Sequence, residues 1–412
     1  MPAATPLPRA PTILILDSAA ALLTGPGCPA CRYAGEASDR YLAWFALEAH
    51  AQADTVTRLC ASLGMCPPHT RSLMRQPGAE VRLTAVYRYL VRAARDRLTG
   101  PSARPGRRAA PRLDRCSACD HDDQAAERAV DTLIEGLADN LIRERYLGLG
   151  GLCVPHLRVA SARAGNGHSR RVAAWLSDAA MTAVNSRSAS PVWLAGTDRD
   201  TPERAALRQA AQAGAAPSLA ECAACLAAAR SEDSGLAQIL HTRNDARLLC
   251  LGHLNDLIAR AGQPGAASLL AWQVGCLAAV PTRRIRRRPV SLDRCPVCQA
   301  AEDAAQQAIA DLRGWLRASR QLPGCQMPLC VRHLLVLRTL DPWAGRVTGP
   351  GAVERADMLA AELDEAFGKN TWTHRLEARG PEMTAWRRAV AFLDGGVLCG
   401  CAARRICSRA AP

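Results

Sequence analysis

The spacing of apolar residues along the chain predicts helices. In the clearest segment the apolar side chains recur at helical spacing and form one stripe, made of Val130, Leu133, Ile134, Leu137, Leu141 and Ile142. A stripe of this kind lets a helix bury one face against its neighbours. Further helices, two of them with a tryptophan, are predicted at Val81–Leu98, Arg171–Ala183, Ala266–Ala279 and Val353–Phe367. No segment alternates with period two for long enough to predict a sheet, so the predicted fold class is all-α.

Composition supports this fold class. Apolar residues make up 49% of the 412 residues and aromatic residues only 4%, which favours packing between Ala- and Leu-rich helices. No apolar run approaches the roughly 18 residues of a membrane-spanning helix. The apolar stretch Ile13–Leu23 is interrupted by Asp17 and leads directly into a cysteine pair. We interpret it as part of the fold rather than a signal peptide, and expect a cytoplasmic protein.

A Cys-x2-Cys pair followed by a Cys-x2-His pair occurs four times. The pairs are Cys28/Cys31 with Cys66/His69, Cys116/Cys119 with Cys153/His156, Cys222/Cys225 with Cys250/His253, and Cys295/Cys298 with Cys330/His333. The two pairs of a copy are separated by 34, 33, 24 and 31 residues, respectively. Twelve of the 18 cysteines and four of the nine histidines belong to this pattern, so it indicates internal repetition.

Other short matches support duplication. Leu113-Asp114-Arg115-Cys116 recurs as Leu292-Asp293-Arg294-Cys295, and the third copy has diverged most. Proline- and arginine-rich stretches at Gly100–Pro111, Ser186–Pro217 and Pro281–Pro289 are typical of linkers. We predict four repeats, at residues 1–100, 112–186, 217–281 and 290–412, the last with a C-terminal extension.

Three thiolates and one imidazole form a ligand set that Zn²⁺ accepts in tetrahedral geometry. Residues three apart share a face of the first turn of a helix, and the helix dipole favours a thiolate there. All sixteen Cys and His residues of the repeats are therefore predicted metal ligands, for up to four zinc ions per chain. An iron–sulfur cluster is the alternative, because the same ligands can hold one.

Other roles of the cysteine pairs fit less well. Disulfides are disfavoured in a cytoplasmic chain and give the histidine no place. Thioredoxin-like chemistry needs a βαβ context, and the usual haem attachment needs a histidine directly after Cys-x2-Cys. The residues found there are Arg32, Asp120, Leu226 and Gln299.

The remaining cysteines and histidines have no repeated position. We interpret Cys60, Cys276 and Cys325 as small core residues. Cys399, Cys401 and Cys407 lie near the chain end, as a frayed tail or a partial fifth site. The other histidines, His50, His121, His168, His241 and His374, are interpreted as surface or packing residues.

The distance between the two pairs of a copy constrains the fold. As one straight helix, about 30 residues would span roughly 45 Å. The chain must therefore fold back within each copy, or each Cys-x2-Cys must share its metal with a Cys-x2-His from another copy. We predict the first: a helical hairpin in each repeat, with ligands converging at its open end and a third helix across it. Predicted breaks are at Ala51–Asp54, Asp139–Asn140, Asp233–Gly235 and Arg313–Gly314.

The net charge of +14 raises the question of nucleic-acid binding. The basic residues are spread over the whole chain, and all are arginine except Lys369, which is typical of GC-rich codon usage. The densest basic stretch is Arg283–Arg288, which is either a phosphate-binding segment or a solvated linker. We prefer the linker and keep nucleic acid as an alternative partner.

Two segments resemble a known family. Gly151-Leu152-Cys153-Val154-Pro155-His156-Leu157, with the Cys-x2-Cys pair before it, resembles an uncharacterised family of bacterial helical proteins that carry CPxC … GLCxPHL units. The segment from Trp372 to Trp386-Arg387-Arg388 is similar to that family's C-terminal segment. The resemblance implies a domain of unknown function and no catalytic residue.

The chain lacks a phosphate loop, a nucleophile elbow and a paired-carboxylate motif. A saturated Cys3His site leaves no open position for a substrate. The sequence therefore favours a non-enzymatic, zinc-binding helical scaffold with a protein partner. An iron–sulfur or thiol redox sensor is the first alternative, because arginine precedes Cys116 and Cys295, and a nearby cation lowers a thiol pKa. A nucleic-acid-binding protein is the second.

Overall fold

The computed structural model describes residues 11–100, 113–167, 170–185, 222–242, 249–278, 295–319, 329–374 and 376–394. All regular secondary structure in these ranges is helical, which confirms the predicted all-α class. The predicted linkers lie almost entirely outside them, as do Arg283–Arg288, Cys325, His168 and the three C-terminal cysteines. No helix within these ranges is both long enough and apolar enough to cross a membrane.

The described ranges contain fifteen α-helices, which we number in chain order. The first nine are α1 Ile13–Leu22, α2 Pro29–Leu47, α3 Ala53–Ser62, α4 Pro67–Met74, α5 Ala79–Thr99, α6 Ser117–Gly136, α7 Asn140–Gly148, α8 Val154–Gly167 and α9 Arg170–Asn185. The other six are α10 Ala223–Thr242, α11 Leu251–Ala278, α12 Pro296–Ser319, α13 Val331–Leu340, α14 Pro342–Lys369 and α15 Ala385–Asp394. Short 3-10 turns lie at Ala49–Ala51, Trp372–His374 and Pro381–Thr384.

The predicted breaks are correct in two copies and wrong in two. Helix α2 gives way to α3 through the turn at Ala49–Ala51, and α6 ends at Gly136 before α7 begins at Asn140. In contrast, α10 runs unbroken through Asp233–Gly235 and α12 through Arg313–Gly314. The separate helix predicted at Ala266–Ala279 is also wrong, because α11 continues from the Cys-x2-His pair to Ala278. A single polar or glycine residue does not end a helix whose two neighbouring turns pack well.

The chain forms two compact units, each assembled from three separate stretches. The first unit contains residues 1–38, 121–201 and 236–296, and the second contains residues 39–120, 202–235 and 297–412. The division falls inside α2, α6 and α10 and at the start of α12, and it does not follow the four repeats. The repeat boundaries proposed from the sequence stay a prediction.

In the first unit α9 packs against α7, α8 and α11. Tyr146 of α7 is completely buried there, and its hydroxyl accepts a hydrogen bond from the backbone N–H of Leu152. Helix α1 packs on α7 and also approaches the end of α6, where a Cβ at Gly136 would lie 2.7 Å from the Cβ of Ala19. The Tyr146 hydroxyl thereby fixes the backbone at Leu152.

In the second unit α5 is the central helix and packs against α3, α14 and α15. Arg338 of α13 caps the C-terminal end of α5. Its guanidinium donates hydrogen bonds to the carbonyl of Arg97 at 2.9 Å, to that of Gly100 at 2.8 Å, and to that of Leu98. The last carbonyls of a helix have no partner inside the helix, so a buried guanidinium is well suited to satisfy them. A Cβ at Gly345 would lie 2.4 Å from Arg338 Cγ, so the absence of a side chain there leaves room for the arginine.

Candidate metal centres

Each predicted ligand pair lies at the N-terminus of a helix. The Cys-x2-Cys pairs open α2, α6, α10 and α12, and the Cys-x2-His pairs open α4, α8, α11 and α13. The first ligand residue begins the hydrogen-bond ladder, as where the Cys28 carbonyl accepts from Arg32 N–H at 3.1 Å and the Cys66 carbonyl from Thr70 N–H at 2.9 Å. The second ligand follows three residues later and returns to the same side of the helix. Proline occupies the first helical position after Cys28, Cys66 and Cys295, where its missing N–H costs nothing.

The structure gathers the sixteen predicted residues into four groups, each able to hold a metal ion. Within each group the ligand atoms all lie within 4.8 Å of one another. Group 1 is Cys28, Cys31, Cys153 and His156; group 2 is Cys66, His69, Cys116 and Cys119; group 3 is Cys222, Cys225, Cys330 and His333; group 4 is Cys250, His253, Cys295 and Cys298.

This grouping corrects the prediction of a site within each repeat. No Cys-x2-Cys pair meets the Cys-x2-His pair of its own copy; it meets that of a neighbouring copy. The first copy exchanges ligands with the second, and the third with the fourth. The predicted convergence of Cys116 and Cys119 with Cys153 and His156 at the open end of one hairpin is therefore wrong. Exchange between copies, the other solution to the length constraint, is what the structure contains.

The spacing of the ligand atoms fits one tetrahedral ion. In group 2, His69 Nδ1 lies 3.2 Å from Cys66 Sγ and 3.4 Å from Cys119 Sγ, and these two sulfurs are 3.4 Å apart. In group 3, His333 Nδ1 lies 3.2, 3.4 and 3.3 Å from the sulfurs of Cys222, Cys225 and Cys330. Ligands about 2.0–2.3 Å from a tetrahedral ion would be about 3.5–3.8 Å apart. The donor set needs only a few tenths of an ångström of adjustment to accept an ion.

The other two groups have the same spacing. His156 Nδ1 lies 3.1 Å from Cys153 Sγ and 3.3 Å from Cys31 Sγ. His253 Nδ1 lies 3.3 Å from the sulfurs of both Cys250 and Cys295. In all four groups Nδ1 is the histidine nitrogen that lies nearest the sulfurs.

Burial separates the groups from solvent. All members of groups 2 and 3 are buried, whereas His156 in group 1 and Cys250 in group 4 are partly exposed. Each group collects two helix N-termini, whose dipoles stabilise negative charge on the sulfurs. Three thiolates in a low-dielectric site need such compensation in addition to the charge of the ion.

Backbone turns before two of the Cys-x2-His pairs require glycine. Gly64 has φ +99° and Gly151 has φ +83°, in the left-handed region where a Cβ is strained. At Gly151 a Cβ would also lie 2.8 Å from the Tyr146 hydroxyl and 2.9 Å from the Cβ of Ala179. The segment quoted for the family resemblance included Gly151, but the sequence gave no signal for Tyr146, which reaches the turn through the tertiary structure.

The pKa values of the group 1 side chains are shifted in different directions. Burial alone would raise the pKa of Cys28, but hydrogen bonds from Cys153 and Cys31 and the charge of His156 hold it well below its ordinary value. Burial raises the pKa of Cys153 well above its ordinary value. Burial would lower the pKa of His156, yet the charges of Cys31 and Cys28 and their hydrogen bonds raise it well above the ordinary value. The environment of group 1 therefore favours negative charge on Cys28 and a proton on His156.

Group 3 shows the same directions of pKa shift for its cysteines. The pKa of Cys222 is held well below its ordinary value by hydrogen bonds from Cys225 and Cys330 and by the charge of His333, against the effect of burial. Burial raises the pKa of Cys330 well above its ordinary value. In both groups the pKa of the first cysteine of Cys-x2-Cys is lowered and the pKa of the cysteine of Cys-x2-His is raised.

The remaining cysteines and histidines that the structure describes lie outside the four groups. Cys60 is half-buried on α3, where burial raises the pKa of its thiol. His50, His121 and His241 join no group, and His374 forms an exposed pair with Glu377 at 2.6 Å. The side chain of Cys276 lies outside the described part of the chain.

Comparison with known proteins gives no family. No family model, no curated protein and no solved structure matches the chain. The resemblance noted in the sequence stays a prediction.

Proposed function

We propose that each of the four groups binds one Zn²⁺ ion and that the protein is a non-enzymatic helical scaffold held together by these ions. The observation that carries the proposal is the closed donor set: four protein ligands within 4.8 Å, with no fifth Cys, His, Asp or Glu in any group among the described residues. A structural zinc site has four protein ligands, whereas a catalytic site keeps one position for water or substrate.

Zinc is favoured over an iron–sulfur cluster by the spacing of the ligands. One ion draws all four donors to a single centre, whereas in a cluster the donors bind separate iron atoms and must stand further apart. The sulfurs of Cys31 and Cys153 are only 3.6 Å apart, and those of Cys66 and Cys119 are 3.4 Å apart. These separations support a single ion at each group.

The role of the ions in this proposal is to join parts of the chain that are distant in sequence. Group 1 connects residues about 125 positions apart, and group 3 connects residues about 110 positions apart. Each ion therefore closes a long loop, and zinc binding contributes to folding directly, on the order of 10 kcal/mol per structural site. Thiolate ligands require reduced cysteines, which is consistent with the proposed cytoplasmic location.

The test is the metal content and absorption spectrum of the protein purified without oxygen. The proposal expects a colourless protein with about four zinc ions per chain, because d¹⁰ Zn²⁺ gives no visible absorption. A brown protein that contains iron and sulfide would show that the groups hold iron–sulfur clusters instead of zinc. A protein without metal that forms disulfides reversibly under peroxide would favour the thiol redox alternative.

A scaffold without a reaction of its own acts by binding, and we propose a protein as its partner. Nucleic acid is the competing partner, suggested by the net charge of +14. Cross-linking in cell extract with and without nuclease treatment distinguishes the two. Protein adducts that survive nuclease support the proposal, and adducts that disappear with the nucleic acid contradict it.

A further inference from the structure

One arginine in the second unit touches the surroundings of two metal groups. Arg332 lies between Cys330 and His333, both ligands in group 3. Its Nη2 donates a hydrogen bond, 3.1 Å long, to the backbone carbonyl of Leu63. Leu63 precedes the group 2 ligand Cys66 by three residues and has φ +53°, the left-handed conformation that starts the turn into α4. The side chain of Arg332 is thus fixed at one end by group 3 and at the other by the turn of group 2.

The same arginine forms a buried ion pair with Asp394 at the end of α15. Its Nε donates to Asp394 Oδ1 at 2.6 Å, and the side chains are only 11% and 1% exposed. The backbone carbonyl of Asp394 lies 4.0 Å from Cys225 Sγ, a ligand in group 3. Burial and the nearby Cys66 raise the pKa of the Asp394 carboxyl, although Arg332 opposes them. The ion pair therefore borders both groups.

A buried ion pair contributes little net stability at this position. Removing two charges from water costs more than their attraction usually returns, and apolar residues of similar size often serve stability as well or better. Such a pair is useful where it fixes one arrangement among several, because its hydrogen bonds have defined directions. Here the hydrogen bonds of Arg332 point to the Leu63 carbonyl and to Asp394 at the end of α15.

We infer that Arg332, held by Asp394, is a positioning residue that couples metal binding at group 2 to metal binding at group 3. The inference builds on the proposed metal-binding function. An ion at group 3 orders the first turn of α13, which carries both His333 and Arg332. The ordered arginine then holds the Leu63 carbonyl and fixes the turn that presents Cys66 to group 2. Coupling of this kind is reciprocal, so an ion at group 2 strengthens binding at group 3 by the same factor.

The experiment uses the full chain with groups 1 and 4 each reduced to two ligands, by Cys28→Ser with Cys31→Ser and by Cys295→Ser with Cys298→Ser, and titrates it with Co²⁺ under argon. Cobalt at a tetrahedral thiolate site absorbs visibly, which reports the occupancy of groups 2 and 3. A second protein also carries Cys116→Ser and Cys119→Ser, which remove group 2 without changing Leu63, Arg332 or Asp394. We expect the affinity of group 3 to fall by roughly 5- to 150-fold in that protein, the usual range of coupling between two sites.

The decisive comparison repeats both titrations with Arg332→Met and Asp394→Asn together, so that no buried charge is left unpaired. Group 3 should then bind Co²⁺ with the same affinity whether or not group 2 is present. The matched control is Arg388→Met on the same helix as Asp394; Arg388 pairs with Glu362 and is 39% exposed. This control should leave the coupling unchanged.

Several outcomes would overturn the inference. One is that removing group 2 leaves the affinity of group 3 unchanged when Arg332 is present. Another is a fall in affinity that persists after Arg332 and Asp394 are replaced. If the double replacement prevents folding, Arg332→Lys alone is informative, because lysine keeps the charge but cannot reach Leu63 and Asp394 with two directed bonds. Full coupling in Arg332→Lys would contradict the inference. Failure of every group to bind Co²⁺ would overturn the proposed function as well, and is distinguishable from binding without coupling.

Discussion

His156 Nδ1 lies 3.3 Å from the sulfur of Cys31, although 125 positions separate the two residues in the chain. The Cys-x2-Cys pair of its own copy, Cys116 and Cys119, instead joins His69. Each metal group therefore takes one ligand pair from each of two copies. This exchange changes what ligand replacements are expected to do.

The first prediction distinguishes exchanged sites from sites within each repeat. Cys66→Ser with Cys116→Ser should lower the zinc content by about one ion, because both cysteines belong to group 2. Cys116→Ser with Cys153→Ser should lower it by about two, because the second pair belongs to groups 2 and 1. Zinc per chain, measured by mass spectrometry after gel filtration, checks both values. Cys60→Ser is the control, since Cys60 lies outside the groups and should leave the zinc content unchanged. The reverse pattern would restore the intra-repeat model.

The second prediction concerns pH. In group 1 the pKa values of His156 and Cys153 are raised well above their ordinary values, so both residues hold their protons more tightly than free side chains do. Metal must displace these protons, because only neutral imidazole and thiolate are ligands. Zinc affinity should therefore fall as pH is lowered, and zinc binding should release protons into the buffer. Calorimetry in two buffers of different ionisation enthalpy measures that release. Identical heats in the two buffers would contradict the assigned protonation states.

The third prediction concerns the junction of α13 and α14, where Asp341 is 2% exposed. Its Oδ1 accepts from the N–H groups of Trp343 and Ala344, at 3.0 and 3.2 Å, and its Oδ2 pairs with Arg317. Asp341→Ala should lower the free energy of unfolding by about 1–2 kcal/mol, because it removes the N-cap. Asp341→Asn should cost less, because asparagine can still cap the helix. Urea denaturation of the zinc-loaded protein at neutral pH measures both changes, and equal losses would mean that the charge, not the cap, stabilises the junction.

The same carboxyl gives a defined pH dependence. Burial alone would raise the pKa of Asp341, but the Ala344 N–H and Arg317 hold it below its ordinary value. A lowered folded pKa adds stability above the unfolded pKa, and this stability is lost as pH falls through the folded value. The difference in stability between the wild type and Asp341→Asn should therefore shrink as pH falls below about 4, the ordinary range of an aspartate. A difference that stays constant with pH would contradict this assignment.

The fourth prediction concerns the close packing of α14 against α13 at Gly345 and Arg338. A methyl group at Gly345 would lie 2.4 Å from Arg338 Cγ and 3.0 Å from its Cα. Gly345→Ala should lower the free energy of unfolding by about 1–3 kcal/mol, the usual cost of overpacking. The matched control is Gly351→Ala in the same helix, where no atom lies within 4 Å of an added Cβ. This replacement should be neutral or slightly stabilising, because alanine favours helices over glycine. Similar losses at both positions would argue against a steric cause.

The fifth prediction tests the competing partner. If Arg283–Arg288 contacts phosphates, a short duplex or single strand should bind with an affinity that falls steeply as salt increases. Replacing Arg286, Arg287 and Arg288 by glutamine should then weaken binding and flatten that dependence. Fluorescence anisotropy from low to physiological salt measures both effects. No binding at low salt would remove nucleic acid as a partner.

The sequence alone determined the class of fold and the chemistry of the ligands. The apolar stripe that contains Val130 and Leu133 predicted a buried helix face, and both residues are completely buried. Leu141 of the same stripe is exposed, because α6 ends at Gly136 and the stripe does not continue on one helix. The Cys-x2-Cys and Cys-x2-His spacings predicted that two ligands would meet at one helix start, because positions i and i+3 share a face whatever the rest of the chain does. These are local properties, fixed by the geometry of one helical turn.

Only the tertiary structure decided which pairs meet. Cys28 and Cys31 can bind beside His69 or His156 equally well as far as local geometry is concerned, since both histidines follow a cysteine by three residues. The choice depends on where α4 and α8 begin in space, and hence on contacts such as that of Tyr146 with the turn at Leu152. It also depends on helices that continue through expected breaks, as α10 does at Asp233–Gly235. Packing over long separations in sequence sets these positions, and a pattern that repeats in all four copies contains no information about which copy is the partner.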